Sequence, residues 1–291
     1  MICNQCPRKC NALRTEKENI NGFCKAPLLP KIARAGLHFW EEPIISGKSG
    51  SGTVFFSGCN LRCVYCQNYD ISQNKEGKMV SVNRLAEIFK ELEQKGANNI
   101  NLVTPSHYVY AIIEALSIYK PNIPVVYNCG GYELPEIIEK LKDYVDIYLF
   151  DFKYSSCKSS EMFSSASDYP IVAKDALLTA FKQTGKPVVE NGIMKKGVIV
   201  RHLLLPGATK EAIEIFDYVK NNCNGSYFSL MGQYVPLYRA NEFKRISRKV
   251  TKREYEKVAS YIINSGYENC FLQELSSADE NFIPSFDLSG V

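Results

Sequence analysis

From Thr53 onward the apolar residues of this chain follow two alternating rhythms: short unbroken runs, and longer stretches in which they recur every three or four positions. The short runs predict strands at Thr53–Phe56, Ile100–Val103, Pro124–Tyr127, Ile147–Phe150, Val198–Leu205 and Tyr227–Met231. Between them, Leu85, Ile88, Phe89 and Leu92 form one helical face, which Gly96 is placed to end, and Ala212, Ile213, Phe216 and Val219 form another. A last helix opens with Thr251 and Glu254 in capping-box positions, buries Tyr255, Val258, Ala259 and Ile262, and stops at Gly266.

Strand and helix alternating in this way is the pattern of an α/β fold with a parallel sheet. Six such units cannot close as an eight-unit barrel does, so the expectation is an open, partial (β/α)6 barrel with its chemistry at the C-terminal ends of the strands. Residues 1–50 show no sustained periodicity and are expected to form a cysteine-rich extension folded around ligands; residues 51–275 make the barrel and 276–291 a tail. The serine-rich stretch Ser155–Ser167 is expected to be a mobile loop.

Composition narrows the function. The 291 residues are 45% hydrophobic and 23% charged, ordinary for a globular protein. Thirty-five basic against 31 acidic residues leave a net charge of +4 that is spread along the chain, so nucleic acid is not an expected partner. No apolar run approaches a membrane span and the N-terminus lacks a signal-peptide core, which predicts a cytoplasmic protein without a membrane partner. Seven of the 11 cysteines fall before residue 67, a clustering that points to metal and not to disulfides.

Directly after the first predicted strand comes Ser57-Gly58-Cys59-Asn60-Leu61-Arg62-Cys63-Val64-Tyr65-Cys66, a C-x3-C-x2-C loop. Three closely spaced thiolates can hold three irons of a four-iron cluster and leave the fourth open to an outside ligand, whereas electron-transfer clusters are usually closed by four cysteines. A zinc site and unliganded core thiols are the alternatives; structural zinc favours four ligands, and isolated buried cysteines do not cluster in this way. The spacing and setting resemble the radical S-adenosylmethionine (SAM) superfamily, closest to a group described as pyruvate formate-lyase activating enzyme-like. That likeness is also carried by Cys3-Asn4-Gln5-Cys6-Pro7-Arg8-Lys9-Cys10, His38-Phe39-Trp40-Glu41-Glu42-Pro43, Cys66-Gln67-Asn68-Tyr69 and Arg201-His202-Leu203-Leu204-Leu205-Pro206-Gly207.

The resemblance implies a [4Fe–4S] cluster on Cys59, Cys63 and Cys66 and SAM on the open iron, with Tyr65 beside it. One electron from a donor such as flavodoxin or ferredoxin then splits SAM into methionine and a 5′-deoxyadenosyl radical that abstracts hydrogen. SAM also needs polar contacts at the strand ends. Thr104, Ser106 and His107 follow the second strand, where relatives carry Gly-Gly-Glu; Asn128 and Gly130 follow the third; Asp151 and Lys153, which resemble the Asp-x-Lys of glycyl-radical activating enzymes, follow the fourth. On the fifth, alternation lets only one of Arg201 and His202 point inward, and Arg201 is the expected one. The plainer readings are a Gly-Gly turn, a solvated Asp–Lys pair and hydrogen-bonded structural histidines.

Cys3, Cys6, Cys10 and Cys24 form C-x2-C-x3-C-x13-C, a complete set of four soft ligands for a second iron–sulfur cluster or for zinc. The expected activity is hydrogen abstraction from a polypeptide. Modification of a small metabolite is the alternative, and a non-enzymatic iron–sulfur electron carrier a further one. A cover over the strand ends formed by Cys3–Cys24 and the tail residues Phe282–Phe286 would favour the metabolite; packing beside the barrel would favour the polypeptide.

Overall fold

The computed structural model describes residues 1–16, 21–74, 76–273, 275 and 284–291. In chain order the strands are β1 (Ile2–Cys3), β2 (Ala12–Leu13), β3 (Lys31–His38), β4 (Ser51–Phe56), β5 (Lys78–Met79), β6 (Ile100–Val103), β7 (Val125–Cys129), β8 (Ile147–Asp151), β9 (Val188–Glu190), β10 (Ile193–Leu203), β11 (Tyr227–Met231) and β12 (Cys270–Leu272). The helices are α1 (Pro43–Ser46), α2 (Tyr69–Ser72), α3 (Val82–Gln94), α4 (Val109–Ile118), α5 (Pro135–Lys140), α6 (Cys157–Ser164), α7 (Tyr169–Thr184), α8 (Thr209–Asn222) and α9 (Lys252–Asn264).

Among the described residues one ten-stranded sheet runs β12-β11-β10-β8-β7-β6-β4-β3-β5, with β9 pairing β10. From β4 to β12 along this order every neighbouring pair is parallel. The two ends of the order do not meet, so the barrel is partial, as expected from six units.

The six expected strands are all present, and their departures have local causes. β10 begins earlier than the apolar run because Ile193 and Met194 pair with Glu190 and Val189 across an Asn191-Gly192 turn. Both turn residues have positive φ, 51° and 78°, the requirement of a two-residue hairpin. β12 adds a short parallel strand outside β11. The largest departure is β3, which lies within the segment expected to be a separate extension yet pairs antiparallel with β4. A bulge between Ile32 and Arg34 breaks its alternation, leaving Ile32 and Ala33 both buried, so no period of two is visible. The main sheet therefore starts at residue 31.

The helices follow the sequence closely where amphipathicity is strong. α3 buries Leu85, Ile88, Phe89 and Leu92, and α9 carries the Thr251–Glu254 capping box. On α8, Ile215 is fully buried and Ile213 only half-buried, so the buried face is Ala212, Ile215, Phe216 and Val219, with Ile215 in the place expected of Ile213. The expected loop Ser155–Ser167 is instead helix α6: Ser156 caps it by accepting the Ser159 N–H, and Ser159, Ser160 and Ser164 are buried. Serine reads as loop because it competes for backbone hydrogen bonds, and here the cap uses that tendency.

The two faces of the sheet are filled differently. The outer face carries the large core with the helices, including Leu102, Tyr127, Phe150 and Val200. On the inner face Val126, Ile147, Leu149 and Ile199 close around Ile45 of α1, which plugs the bottom of the barrel. Asn98 and Asn99 hold α1 there, donating to the carbonyls of Ser46 and Ile45 at 2.6 and 2.8 Å. Of the tail, Phe282 lies outside the described residues. The described part runs along β3, with Leu288 N–H on Ala33 O and Ala35 N–H on Ser289 O, and sets Phe286 edge-on to Phe55 at 5.5 Å. No described helix is long and apolar enough to cross a membrane.

Ile45 is fully buried and its neighbours belong to different strands, so they cannot collapse onto a gap. Ile45→Ala should cost about 2–4 kcal/mol in urea unfolding, whereas the same change at exposed Ile263 should stay within about 0.5 kcal/mol. Equal effects at the two positions would mean that α1 is not a plug.

Candidate functional site

β4 ends at Phe56 and the chain turns through Gly58, at φ 88°, whose N–H donates to Ile71 O at 2.8 Å. A side chain at Gly58 would stand 3.0 Å from the Cys24 carbonyl oxygen, so the turn and the close approach both need glycine. The loop then presents Cys59, Cys63 and Cys66 to one cavity of about 540 Å³ at the C-terminal ends of the strands. Each sulfur has a hydrogen-bond partner: Leu61 N–H for Cys59 at 3.4 Å, the Ser164 hydroxyl for Cys63 at 2.9 Å and the Ser72 hydroxyl for Cys66 at 3.2 Å.

Burial pushes the Cys59 thiol up to about 12 and Cys66 to about 11. Left alone at neutral pH, those two sulfurs would stay protonated; positive iron would favour their ionised form. Soft donors on a shared wall, each partnered, fit a three-thiolate iron–sulfur group. Among the described residues no three His, Cys, Asp or Glu side chains are grouped around a point as ligands of one ion.

The loop has no regular structure of its own and is held from outside. Arg62 and Val64 donate their N–H groups to the Ser164 and Phe163 carbonyls of α6, at 3.1 and 2.9 Å. Arg239 N–H reaches Val64 O at 2.9 Å. From the N-terminal segment Arg8 donates to Asn60 O at 2.8 Å, and the Arg62 guanidinium bonds back to Phe23 O.

Beneath the cavity lies a charged floor. Arg201 donates to Asp151 and Glu41 at 2.8 Å each and to Asn128 at 2.6 Å, while Lys153 donates to the other Asp151 oxygen at 2.8 Å. Burial alone would lower the Arg201 guanidinium, but Asp151 and Glu41 outweigh it and hold it above its ordinary value. Burial would raise Asp151, and Arg201 with Lys153 holds it below. For neighbouring Glu42, fully buried and 4.0 Å from Arg201, burial wins and the carboxyl is raised.

Of the residues singled out in the sequence, Cys59, Cys63, Cys66, Tyr65, Thr104, Asn128, Gly130, Asp151, Lys153 and Arg201 all line this cavity. Arg201 points inward as expected, and His202 faces the outer side, bonded to Phe152 O. Thr104 sits at φ 59°, an outlying conformation for a β-branched residue, fixed by its N–H on Asn128 O. Ser106 and His107 turn away from the cavity: Ser106 donates to Glu133, and His107 is wholly buried against Ser57 O at 2.8 Å. Burial pushes His107 down to about 3, so it stays neutral and structural. The residue that sequence reasoning missed is Glu41, which arrives on the turn between β3 and α1. Two adjacent acids inside the apolar stretch 39–45 were the available signal.

Cys3, Cys6 and Cys24 are buried beside the loop and Cys10 is half-buried. The Arg14 guanidinium bonds Cys24 Sγ at 3.3 Å and also holds His107 O. Burial pushes Cys6 up to about 12, with Cys24, Glu133 and Cys3 adding to the effect. None of the four lines the cavity.

Removing the guanidinium leaves buried carboxylates without their main cation, so Arg201→Met should cost about 3–5 kcal/mol at pH 7. Asp151 and Glu42 would then carry higher folded values and take up protons on folding. An acid whose folded value is raised loses stability as pH climbs above its unfolded value, so the penalty should shrink as pH falls from 7 to 5. Chemical unfolding across that range would show it; a penalty independent of pH would contradict the network.

The family model described as "Radical SAM superfamily" matches residues 53–219. An uncharacterised protein of Methanocaldococcus jannaschii is 33% identical over 266 residues, 88% of this chain and 72% of that relative. Among solved structures, SuiB of Streptococcus suis bound to its precursor peptide SuiA superposes with a TM-score of 0.54 at 14% identity, covering 76% of this chain and 48% of that one. The FeFe-hydrogenase maturase HydG of Carboxydothermus hydrogenoformans gives 0.52 at 16%, covering 80% and 56%. The chain thus spans about half the length of these solved proteins, and at such identities the likeness is one of fold. The family model begins at the strand that delivers the three thiols and covers more than half the chain, and on that ground the protein belongs to the radical SAM superfamily, whose members use a [4Fe–4S] cluster and S-adenosylmethionine.

Proposed function

We propose that this protein is an enzyme of the activating-enzyme-like kind that reductively cleaves SAM and abstracts hydrogen from a polypeptide. The observation that carries the reading is the wall of three partnered thiols facing the same cavity as Lys153. When bound, the cluster and SAM together supply a 5′-deoxyadenosyl radical able to take a hydrogen atom.

The chain's own residues bind, orient and exclude water. Cys59, Cys63 and Cys66 hold the cluster. Lys153 is a cavity cation with one carboxylate partner, placed to pair the SAM carboxylate. Arg201 is already engaged by three partners, so its part is to keep Asp151 and Asn128 in position. A side chain at Gly130 would stand 3.2 Å from Leu61 and 3.6 Å from Lys153, so glycine keeps that space open for a ligand. Phe55, Leu61, Val103 and Leu203 supply an apolar lining that keeps water from a reactive radical.

A volume of about 540 Å³ lies within the range of a single small-molecule site. Cluster and SAM would occupy it, and a substrate would approach from the rim. The described residues of the segment 3–24 pack beside the loop and none of them lines the cavity, while Pro284 of the tail forms part of its wall. Among the described residues the N-terminal segment leaves the rim open on the loop side, which suits a polypeptide, and SuiB, a protein of like fold, is bound to a precursor peptide. In this reading a one-electron donor such as flavodoxin or ferredoxin reduces the cluster. The N-terminal cysteines hold a second iron–sulfur cluster or zinc that braces the loop.

Deuterium transferred into 5′-deoxyadenosine from labelled polypeptide, and not from labelled metabolites, is the expected result of anaerobic turnover; transfer from a metabolite alone would refute the polypeptide reading. Metal analysis should separate the sites. Ala at Cys59, Cys63 or Cys66 should remove one cluster and all 5′-deoxyadenosine, whereas Ala at Cys6 or Cys24 should remove other metal and spare that cluster. Lys153→Met should keep all iron and weaken SAM binding about tenfold or more; unchanged SAM affinity would return Lys153 to a plain ion pair with Asp151.

A further inference from the structure

Behind the cluster loop, three buried hydroxyl groups form an unbroken chain that ends on one sulfur. Tyr65 Oη lies 2.7 Å from Tyr154 Oη, Tyr154 Oη 2.7 Å from Ser164 Oγ, and Ser164 Oγ 2.9 Å from Cys63 Sγ. All three residues are at most 6% exposed. A metal-bound thiolate can only accept, so the single Ser164 proton goes to sulfur. Ser164 Oγ must then accept from Tyr154, and Tyr154 Oη from Tyr65, because each hydroxyl has one proton to give. Every proton in the chain therefore points toward Cys63, the arrangement in which successive hydrogen bonds polarise one another.

The other two sulfurs are served differently. Cys59 receives a backbone N–H at 3.4 Å, and Cys66 meets at 3.2 Å the Ser72 hydroxyl, which takes one further bond from the Gln73 side-chain amide at 3.3 Å, a shorter chain with a single hydroxyl. We propose that Tyr65, Tyr154 and Ser164 act as positioning residues that stabilise negative charge on Cys63 Sγ, making the three cluster ligands inequivalent and raising the reduction potential of the cluster. Hydrogen bonds to ligand sulfur favour the reduced, more negative cluster, and burial keeps water from replacing them. The chain also starts and ends on the cluster loop, so the group that adjusts Cys63 fixes the Tyr65 ring beside the cavity as well. This inference rests on the proposed cluster assignment.

The test is redox potentiometry of the full-length, reconstituted holoprotein, followed by the electron paramagnetic resonance signal of the reduced cluster. Ser164→Ala should lower the reduced-to-oxidised ratio at fixed potential about tenfold, which for a one-electron couple is about 59 mV. Tyr154→Phe should shift it in the same direction by less, Tyr65→Phe by less again, and Ser164→Thr, which keeps a hydroxyl, should return it toward wild type. Tyr234→Phe is the packing control: its ring lies edge-on to Tyr65 at 5.8 Å, but its hydroxyl bonds Ile246 O, so the potential should not move. Should Ser164→Ala fail to fold or to hold iron, Tyr154→Phe decides, since it leaves the Ser164 contacts with the loop in place. A wild-type potential in iron-replete Tyr154→Phe, or an equal shift in Tyr234→Phe, overturns the relay alone. Absence of any cluster in reconstituted wild-type protein would overturn the cluster assignment and the relay together.

Discussion

The structure depends on holding still a stretch of irregular backbone. Between β4 and α2 the chain has neither helix nor strand to satisfy its N–H and C=O groups, yet three sulfurs on it must stay in register with one cavity. Buried backbone groups need partners, and here they come from segments distant in sequence: α6, the N-terminal segment and the turn at Arg239. That explains why α6 is a helix with buried serines instead of a loop. Its last turn offers two carbonyls to the loop and its final hydroxyl to Cys63.

Beneath the loop the inner face of the sheet is built in layers. Ile45 and the residues around it close the bottom with apolar packing; above them Arg201 gathers Asp151, Glu41 and Asn128; above these lies the cavity. The order has a physical reason. Charges this close are tolerable only when paired and hydrogen-bonded, and paired charges are rigid, so the floor is polar without being soft. Lys153, with a single carboxylate partner, is the cation of this layer most available to a ligand.

Much of this was legible in the sequence because the informative residues obey local rules. The C-x3-C-x2-C spacing after an apolar run located the loop, and alternation along β10 let only one of Arg201 and His202 point inward, though it did not say which. What was not legible depended on tertiary context. β3 hides its period behind a bulge, and α6 hides behind serines that cap and bury. Ser106 and His107 follow the second barrel strand, as cofactor contacts often do, but the chain after Thr104 tucks them under the N-terminal segment, where Arg14 holds His107 O. Glu41 reaches the floor only because β3 returns the chain to the inner face, a route that no local pattern specifies.

The central claim is that three thiols hold a four-iron cluster and leave one iron to SAM. Electron–nuclear double resonance on the reduced protein, with SAM labelled with ¹⁷O in its carboxylate and ¹⁵N in its amino group, tests it most directly. Strong coupling of both labels to the cluster is the expected result. A reduced cluster that shows no coupling to either label in the presence of saturating SAM would contradict it.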